Sequence, residues 1–388
     1  MKRIMSKLYS GARYVFFWGL CLILPVKRNR VVASNFYGRG YGDNPKYIVD
    51  KLLSHKELEL IWLVKGDKDK ASLPEGVIAC PVNSFKAIYY LATARVWVDN
   101  CRKPFILRKR RGQFYMQTWH GFALKQIERD VADKLGKGYV KSAIKDSKYT
   151  SLVISDSEFM TKIYAKSFWY SGEIATIGSP RNDMILNRDE SVRSKVFSSM
   201  SLPSDARIAV YAPTFRADNS LEAYDLDYMR LKDACERRFG EKFIVLVRLH
   251  PNIMQKSTNL NFDGVNVVNA SFYPDMQELL CAADVVISDY SSLMFDFALS
   301  LKPCFQFATD IDEYKNDRNF YFEIDNLPFV LARSNDELES GILSFDEEKY
   351  REDMTRFFDS VGMVRQGDSA EKCAQIIVEK CSKSKKSK

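Results

Sequence analysis

The chain has 388 residues, of which 46% are hydrophobic and 28% are charged, and its formal net charge is +8 at pH 7. This composition excludes a disordered or fibrous protein, and the length favours two domains of roughly 180 residues each over a single core. The basic charge favours an anionic partner, which could be nucleic acid, a phospholipid surface or a phosphorylated substrate. Eight cysteines without a C-x-x-C pair predict reduced thiols facing the cytosol rather than zinc ligands.

Residues 1–30 place a short apolar run between basic residues. The run from Tyr14 to Val26 is too short for a bilayer span, which needs about 20 residues, and no convincing signal-peptide cleavage site follows it. Cations on both sides predict an amphipathic helix lying in the interface of an anionic membrane, with a buried first helix as the alternative. The basic run Arg108–Arg111 is either solvated or part of the same lipid-facing surface.

Strands and helices alternate along both halves of the chain, as in doubly wound α/β sheets. In the first half we predict strands at 31–35, 58–64, 96–99, 114–118, 152–155 and 174–178, and helices at 45–53, 84–93 and 123–127. In the second half we predict strands at 207–211, 243–249, 265–268 and 284–288, and helices at 221–238, 275–282 and 293–300. Residues 128–148 are charged and predicted to be mobile, and the polar segment 187–204 is the expected boundary between the halves.

Three histidines occur in the chain, and two of them follow predicted strands. His120 comes after an aromatic strand and before Gly121, so its imidazole is expected at the carboxyl end of that strand, the edge where open α/β sheets bind ligands. His250 repeats this pattern in the second half, whereas His55 lies in a polar segment resembling a solvated helix end. The alternative for His120 is a buried structural histidine.

Polar groups also follow three strands of the second half. Thr214 and Arg216 follow the first, and Arg248 precedes His250 at the end of another. Ser291 and Ser292 stand where a helix is predicted to begin, and hydroxyls with free backbone N–H groups at such a position bind phosphate oxygens. The two serines could equally be plain helix caps.

Five short motifs follow one another in a fixed order: Gln117-Thr-Trp-His-Gly121, Gly178-Ser-Pro-Arg-Asn-Asp183, Tyr211-Ala-Pro-Thr-Phe-Arg216, Arg248-Leu-His-Pro251, and Ser288-Asp-Tyr-Ser-Ser292 with Asp296. In this order, over residues 110–375, they resemble the CDP-glycerol glycerophosphotransferase family of teichoic acid synthesis. The resemblance implies a GT-B-like α/β fold of two Rossmann-like domains facing a central cleft. The expected domains are a membrane-associating segment at 1–30, an acceptor-side domain at 31–186 and a CDP-donor-binding domain at 205–380.

The resemblance also implies a reaction. Glycerol phosphate, or a related polyol phosphate, would move from CDP-glycerol or CDP-ribitol to a hydroxyl of a lipid-linked saccharide or polyol-phosphate acceptor, releasing CMP. By position in the motifs, His120 would be the general base, and His250 would stabilise or protonate the departing phosphate. The implied substrate-binding residues are Arg181, Thr214, Arg216, Arg248, Asp289, Ser291, Ser292 and Asp296. Asp289 and Asp296 could instead orient the loop and the helix that carry them.

Neither a metal nor another cofactor is expected. No Asp-x-Asp pair follows a strand, and the pairs at 225–227 and 310–312 look like surface-loop carboxylates. The family predicts no nucleic-acid partner and a peripheral location on the cytoplasmic face of the cell membrane. Two alternatives are a GT-B nucleotide-sugar glycosyltransferase and a non-enzymatic basic membrane-binding module. Primase and polymerase activities both remain open.

Overall fold

The chain forms two compact units in the computed structural model, which describes residues 2–67, 70, 72–103, 107–216, 225–250, 253, 255, 262–311, 314 and 319–382. The first unit comprises Met1–His120, Ile127–Asp183 and Gln366–Lys388, and the second comprises Gly121–Gln126 and Met184–Arg365. Residues 121–126 and 184–186, which were predicted in the acceptor-side domain, fall in the second unit, and residues 366–380, which were predicted in the donor-binding domain, fall in the first.

The described part of the first unit contains a seven-stranded sheet in which every pairing is parallel, in the order β3-β2-β1-β4-β5-β6-β7. Its strands are β1 (Lys27–Ser34), β2 (Glu59–Val64), β3 (Val77–Pro81), β4 (Ala94–Asp99), β5 (Phe114–Gln117), β6 (Leu152–Ser155) and β7 (Glu173–Thr176). Its α-helices are Lys2–Ile23, Asp43–Leu52, Phe85–Thr93, Lys137–Tyr149, Glu158–Ser167 and Ser369–Ser382, and short 3-10 helices span Glu128–Val131 and Pro180–Asn182. The strand order reverses between β1 and β4, which is where Rossmann-like sheets bind ligands.

The second unit repeats this plan with a six-stranded parallel sheet among its described residues, in the order β10-β9-β8-β11-β12-β13. Its strands are β8 (Arg207–Tyr211), β9 (Phe243–Val247), β10 (Val267–Asn269), β11 (Val285–Ser288), β12 (Cys304–Phe307) and β13 (Val330–Ala332). Its helices are Glu190–Ser199, Tyr228–Phe239, Met276–Ala282, Leu293–Ala298, Asn335–Leu343 and Glu347–Ser360, with a 3-10 helix at Ile324–Asn326 and the short helix Asp183–Leu186 leading in. The strand order of this sheet reverses between β8 and β11.

Local sequence explains these elements. The central strands β9 and β11 are buried along their whole length, as expected for parallel strands covered by helices on both faces. Helix starts carry capping side chains: Ser157 accepts a hydrogen bond from Met160 N, and Asp275 accepts one from Gln277 N. The prediction of an α/β protein with two Rossmann-like parallel sheets is confirmed.

Residues 123–127 are not helical, so the prediction of a helix directly after His120 was wrong. Lys125 instead forms an antiparallel bridge with Phe320. Gln126 N donates to Asn319 O over 2.9 Å, and Tyr321 N donates to Leu124 O over 2.9 Å. These non-local backbone bonds satisfy the groups that a helix would have paired locally. The helix predicted over 221–238 begins at Tyr228, and residues 221–224 lie outside the described residues.

The stretch predicted to be mobile, 128–148, contains a 3-10 helix and the helix Lys137–Tyr149. Its charged residues are not all solvated, because Glu128 and Asp146 are buried against Arg102. Burial of paired charges orders a segment whose composition alone suggests exposure. The expectation of a mobile segment is therefore corrected.

The N-terminal helix Lys2–Ile23 has one buried and one exposed face. Phe17 is fully buried in a core cluster that includes Ile88 and Leu91 of the helix Phe85–Thr93, while Leu22 and Ile23 are 84% and 79% exposed. None of the helices among the described residues is long and apolar enough to cross a membrane. The predicted segment 1–30 overlaps the sheet, because β1 begins at Lys27.

Candidate active-site residues in the two units

His120 lies just beyond the carboxyl end of β5, in a turn of unusual backbone geometry. Trp119 has a φ of +48° and Gly121 a φ of +115°, so the chain reverses sharply on either side of the imidazole. The indole of Trp119 stacks on the His120 ring with centroids 4.2 Å apart and planes 25° apart. The Phe36 ring, which follows β1, lies 5.3 Å from the same imidazole.

A single hydrogen bond defines the chemistry of this imidazole. The Nδ1 of His120 lies 2.8 Å from the backbone carbonyl oxygen of Asn100, which follows β4. Because a carbonyl oxygen only accepts, Nδ1 carries the proton, and the lone pair of the neutral ring is on Nε2. Burial lowers the pKa of His120, although the Asp43 carboxylate opposes this shift. A neutral imidazole with a basic Nε2 at pH 7 suits a general base.

Arg102 supports the Trp119–His120 turn through the ring of Phe168. This residue was not identified from the sequence. Its guanidinium lies 4.4 Å from the Phe168 ring centroid, and Phe168 packs edge-on against Trp119. Arg102 is buried in ion pairs with Glu128 and Asp146, with N–O distances of 2.8 and 3.4 Å. Burial raises the pKa of Asp146 to about 6, with Arg102 opposing the shift. No spacing pattern in the sequence predicts the ion pairs of Arg102, because Arg102, Glu128 and Asp146 come from three separate segments.

Arg181, predicted to bind substrate, is 7% exposed and lies in the 3-10 helix Pro180–Asn182. Its Nη1 lies 2.8 Å from Asp43 Oδ2. Asn44 joins this turn to the His120 motif: its Oδ1 accepts from Arg181 N over 3.0 Å, and its Nδ2 donates to Trp119 O over 3.2 Å. The structure therefore brings the Gly178–Asp183 and Gln117–Gly121 motifs to the same edge of the first sheet.

In the second unit, Thr214, Arg216 and Asp289 come together where the strand order reverses. Thr214 donates to Asp289 Oδ1 from its backbone N over 2.8 Å and from its hydroxyl over 2.5 Å. Arg216 Nη2 lies 2.9 Å from Asp289 Oδ2, and its Nε lies 2.6 Å from Asp310 Oδ2. Burial would lower the pKa of Arg216, but the hydrogen bond to Asp310 and the charge of Asp289 outweigh it and raise the pKa.

Asp310 was interpreted from the sequence as a surface carboxylate, and that interpretation was wrong. Its side chain is 19% exposed and binds Arg216, and it also accepts a hydrogen bond from the Tyr290 hydroxyl over 2.9 Å. Arg216 lies 5.1 Å from the ring centroids of both Tyr290 and Tyr314, which stack on each other. No local signal in the sequence indicated this ion pair, because Arg216 is far from Asp310 along the chain. Asp312 lies outside the described residues.

Arg248 and His250 occupy different surroundings although they are close in sequence. Arg248 donates to the backbone carbonyls of Ala270, over 3.1 Å, and Tyr273, and burial lowers its pKa to about 10. It therefore fixes the loop after β10. His250 is exposed, and its ring lies 5.5 Å from that of Phe215. Pro251, the last residue of this motif, lies outside the described residues.

The remaining predicted site residues are Ser291 and Ser292, which precede the short helix Leu293–Ala298, and Asp296, which lies within it. Ser292 already has helical backbone angles, φ −62° and ψ −18°, so the helical geometry begins before the predicted start. Ser291 Oγ accepts from Leu293 N over a long 3.4 Å. Asp296 is buried and accepts from Gln277 Nε2 over 3.3 Å, which joins this helix to Met276–Ala282. These contacts favour the orienting alternative for Asp296.

The described residues offer neither a metal-ligand cluster nor a disulfide bond. Within the described ranges, no group of three or more His, Cys, Asp or Glu side chains is placed to hold a metal ion. All eight cysteines carry free thiols, and six of them are buried. The absence of a metal requirement remains a prediction.

Two Rossmann-like sheets, with a histidine at the carboxyl edge of one and hydroxyl, guanidinium and imidazole groups following the strands of the other, define a GT-B-like protein of the kind that handles nucleotide-activated donors. The sequence profile of the family CDP-Glycerol:Poly(glycerophosphate) glycerophosphotransferase matches residues 16–379. The chain belongs to this family.

Individual relatives agree with this assignment. A teichoic acid poly(glycerol phosphate) polymerase of Staphylococcus epidermidis is 31% identical over 91% of this chain, which spans only 51% of that relative. A teichoic acid glycerol-phosphate transferase of Staphylococcus aureus is 28% identical, with 97% of this chain and 99% of the relative covered.

The fold also matches a solved relative. The wall teichoic acid polymerase TagF superposes with a TM-score of 0.84 at 28% identity, covering 98% of this chain and 96% of the TagF chain. A variant of TagF was also solved after soaking with CDPG, and it superposes with a TM-score of 0.81. The chain is therefore comparable in extent to the S. aureus transferase and to the solved TagF chain, and about half as long as the S. epidermidis polymerase.

Proposed function

We propose that the protein transfers glycerol phosphate from CDP-glycerol to a hydroxyl group of a lipid-linked acceptor in teichoic acid synthesis. The observation that carries this proposal is the anchored imidazole of His120, with Nδ1–H on a carbonyl and a basic Nε2, in a chain of this family. Nε2 would accept the proton of the acceptor hydroxyl as the oxygen bonds to the glycerol-bearing phosphorus. The P–O bond to CMP breaks in the same step, and CMP leaves with the bridging oxygen.

Groups of the second unit would bind the donor. His250, which is exposed, would contact a phosphate and protonate or stabilise the departing CMP. The hydroxyls of Ser291 and Ser292 would donate hydrogen bonds to phosphate oxygens, whereas the hydroxyl proton of Thr214 is already donated to Asp289. Arg216 and Arg248 already bind protein groups, so their contribution would be a fixed positive field and an ordered loop rather than a direct bond. CDP-ribitol is the alternative donor.

A donor panel with a histidine variant tests the activity. Purified protein is incubated with radiolabelled CDP-glycerol, CDP-ribitol and UDP-sugars plus an acceptor lipid, and transfer and CMP release are measured. We expect transfer from CDP-glycerol, and a loss of at least about 100-fold in turnover in His120→Ala with donor binding largely kept. The control is His55→Ala, since His55 is exposed beside Glu57. Transfer from UDP-sugars alone, or full turnover in His120→Ala, would contradict the proposal.

We further propose that the protein is peripheral on the cytoplasmic face of the membrane, where a lipid-linked acceptor would be reached. The exposed face of the N-terminal helix carries Val15, Phe16, Leu22 and Ile23. Exposed Lys27 and Arg28 follow this helix in the sequence, and exposed Arg108 and Arg111 belong to the basic run 108–111. Arg108 contacts the helix directly, with its guanidinium 5.3 Å from the Trp18 ring centroid. Apolar side chains together with cations favour an anionic bilayer surface.

Flotation with liposomes tests this location. The double variant Leu22→Ser/Ile23→Ser removes two exposed apolar side chains without touching buried Phe17. We expect the parent protein to float with vesicles containing anionic lipid and the variant to partition less. Val265→Ser, at an exposed apolar residue of the second unit, is the matched control. Equal flotation of parent and Leu22→Ser/Ile23→Ser would count against the membrane-facing helix.

A further inference from the structure

The tautomer of His120 depends on the direction of one backbone carbonyl. The Asn100 oxygen that accepts the Nδ1 proton lies 2.8 Å from the ring, directly after β4. If this carbonyl turned away, the neutral ring could carry its proton on Nε2 instead, and the nitrogen needed as the base would lose its lone pair. Whatever holds residue 100 in place therefore controls the base.

The side chain of Asn100 is buried and bonded at both ends of its amide. Its Oδ1 accepts from Phe36 N over 2.9 Å, and its Nδ2 donates to Asn35 Oδ1 over 2.8 Å. Asn35 is itself held, because its Nδ2 donates to Arg39 O over 2.8 Å. These bonds join the carboxyl ends of β1 and β4, the two strands between which the strand order reverses.

Asn100 therefore has two roles: its side-chain amide joins the ends of β1 and β4, and its backbone carbonyl accepts a hydrogen bond from the imidazole. We propose that Asn100, held by Asn35, is a positioning residue that fixes His120 in the Nδ1–H tautomer and so keeps Nε2 basic. This inference rests on the proposed function of His120 as general base. It concerns an asparagine outside every motif that the sequence analysis singled out.

The tautomer is directly measurable in the intact protein. The chain has three histidines, so ¹⁵N-histidine labelling gives few ring resonances, and His120→Gln assigns the signal of interest. We expect the parent protein at neutral pH to show His120 with a protonated Nδ1. A protonated Nε2 in the parent would overturn the proposal without any activity assay.

Kinetics separate positioning from mere structural support. We expect Asn100→Ala to lose the Nδ1–H signature and to lower kcat by about 10- to 100-fold, the range known for groups that orient a functional histidine, with the KM for CDP-glycerol within about twofold. Asn100→Asp introduces a negative charge in the residue whose backbone oxygen binds the imidazole, so we expect the acid limb of its pH profile to move to higher pH. Asn35→Ala removes one support only and provides a milder change if Asn100→Ala does not fold.

Gln113→Ala is the matched control. Gln113 is also a buried amide of the first unit, but it lies before β5 and donates to the carbonyls of Leu91 and Ala94. We expect this variant to lose stability but to keep the His120 tautomer and kcat. An unchanged tautomer and kcat in folded Asn100 variants would overturn the positioning role. Full turnover in His120→Ala would instead refute the proposed function, while leaving the tautomer result interpretable.

Discussion

His120 combines a carbonyl-anchored Nδ1 with a half-buried ring, and this burial lowers its pKa below the ordinary histidine value of about 6.5. The unfolded chain therefore binds this proton at higher pH than the folded protein does. The stability contributed by neutral His120 is present above about pH 6.5 and is lost as the pH falls from there through the folded pKa.

This shift predicts the pH dependence of catalysis. We expect the acid limb of kcat/KM to have its midpoint below about pH 6.5, because the free enzyme keeps a neutral His120 in mildly acidic solution. Initial rates with CDP-glycerol across about pH 5 to 8 measure the midpoint, with His55→Ala as a control that should leave the profile unchanged. A midpoint clearly above 6.5 would be inconsistent with a general base whose pKa is lowered.

Asp289 shows how a predicted binding residue can be structural at the same time. It accepts two hydrogen bonds from Thr214 N and the Thr214 hydroxyl and pairs with Arg216. We expect Asp289→Asn to destabilise the protein by about 3 kcal/mol, because it leaves a buried guanidinium with one partner fewer.

Denaturant unfolding measures this loss, and a double-mutant cycle locates it. Adding Arg216→Met to Asp289→Asn should cost less than the sum of the two single variants, since the two side chains interact directly. Asp205→Asn, at an exposed carboxylate, should stay within about 0.5 kcal/mol of the parent. Strict additivity of Asp289→Asn and Arg216→Met would show that the pair is not coupled.

At the scale of elements, the basic run before β5 has a structural role at the N-terminal helix. Arg110 donates to the carbonyls of Cys21 and Leu24, each over 2.7 Å, at the carboxyl end of the helix Lys2–Ile23. A cation at this end also complements the helix dipole. Arg110 of this run therefore binds protein groups, whereas Arg111 is exposed.

Removing this cap should loosen the helix. We expect Arg110→Ala to cost about 1 to 3 kcal/mol, the usual range for hydrogen bonds to charged groups, and to speed hydrogen exchange in residues 17–24. Hydrogen-exchange mass spectrometry measures the effect, with Arg111→Ala as the matched cation control. Identical exchange in Arg110→Ala and Arg111→Ala would rule out the capping role.

At the scale of the whole molecule, the helix Ser369–Ser382 packs on the sheet of the first unit rather than on that of the second. Asp183 accepts hydrogen bonds from Ser369 N and Ala370 N at the start of Ser369–Ser382. Ile377 is fully buried in the core cluster that contains Val31 and Val96. The helix Ser369–Ser382 therefore packs in the core of the first unit.

This topology predicts where a C-terminal substitution acts. We expect Ile377→Ala to cost about 2 to 5 kcal/mol and to reduce exchange protection in β1 and β4, while β9 and β11 of the second unit stay protected. Gln375→Ala, on the exposed face of the same helix, should have little effect. Loss of protection in β9 instead of β1 would contradict the unit assignment.

The sequence was informative wherever a signal is local. Apolar runs ending in polar residues predicted β1, β2, β4, β5, β8 and β11 to within a few residues. The ordered motifs correctly indicated the family, because short strand-to-turn segments carry their own chemistry. The edge strands β3 and β13 were missed.

What only the tertiary structure decided is which distant residues meet. The sequence by itself determined two α/β halves and a histidine at a strand end. It could not show that the backbone oxygen of Asn100 accepts a hydrogen bond from that histidine, that Arg216 binds Asp310, or that Ile377 lies in one core cluster with Val31. Partners such as these are separated by tens or hundreds of residues, and burial and pairing arise only when the sheets form, so no local pattern encodes them.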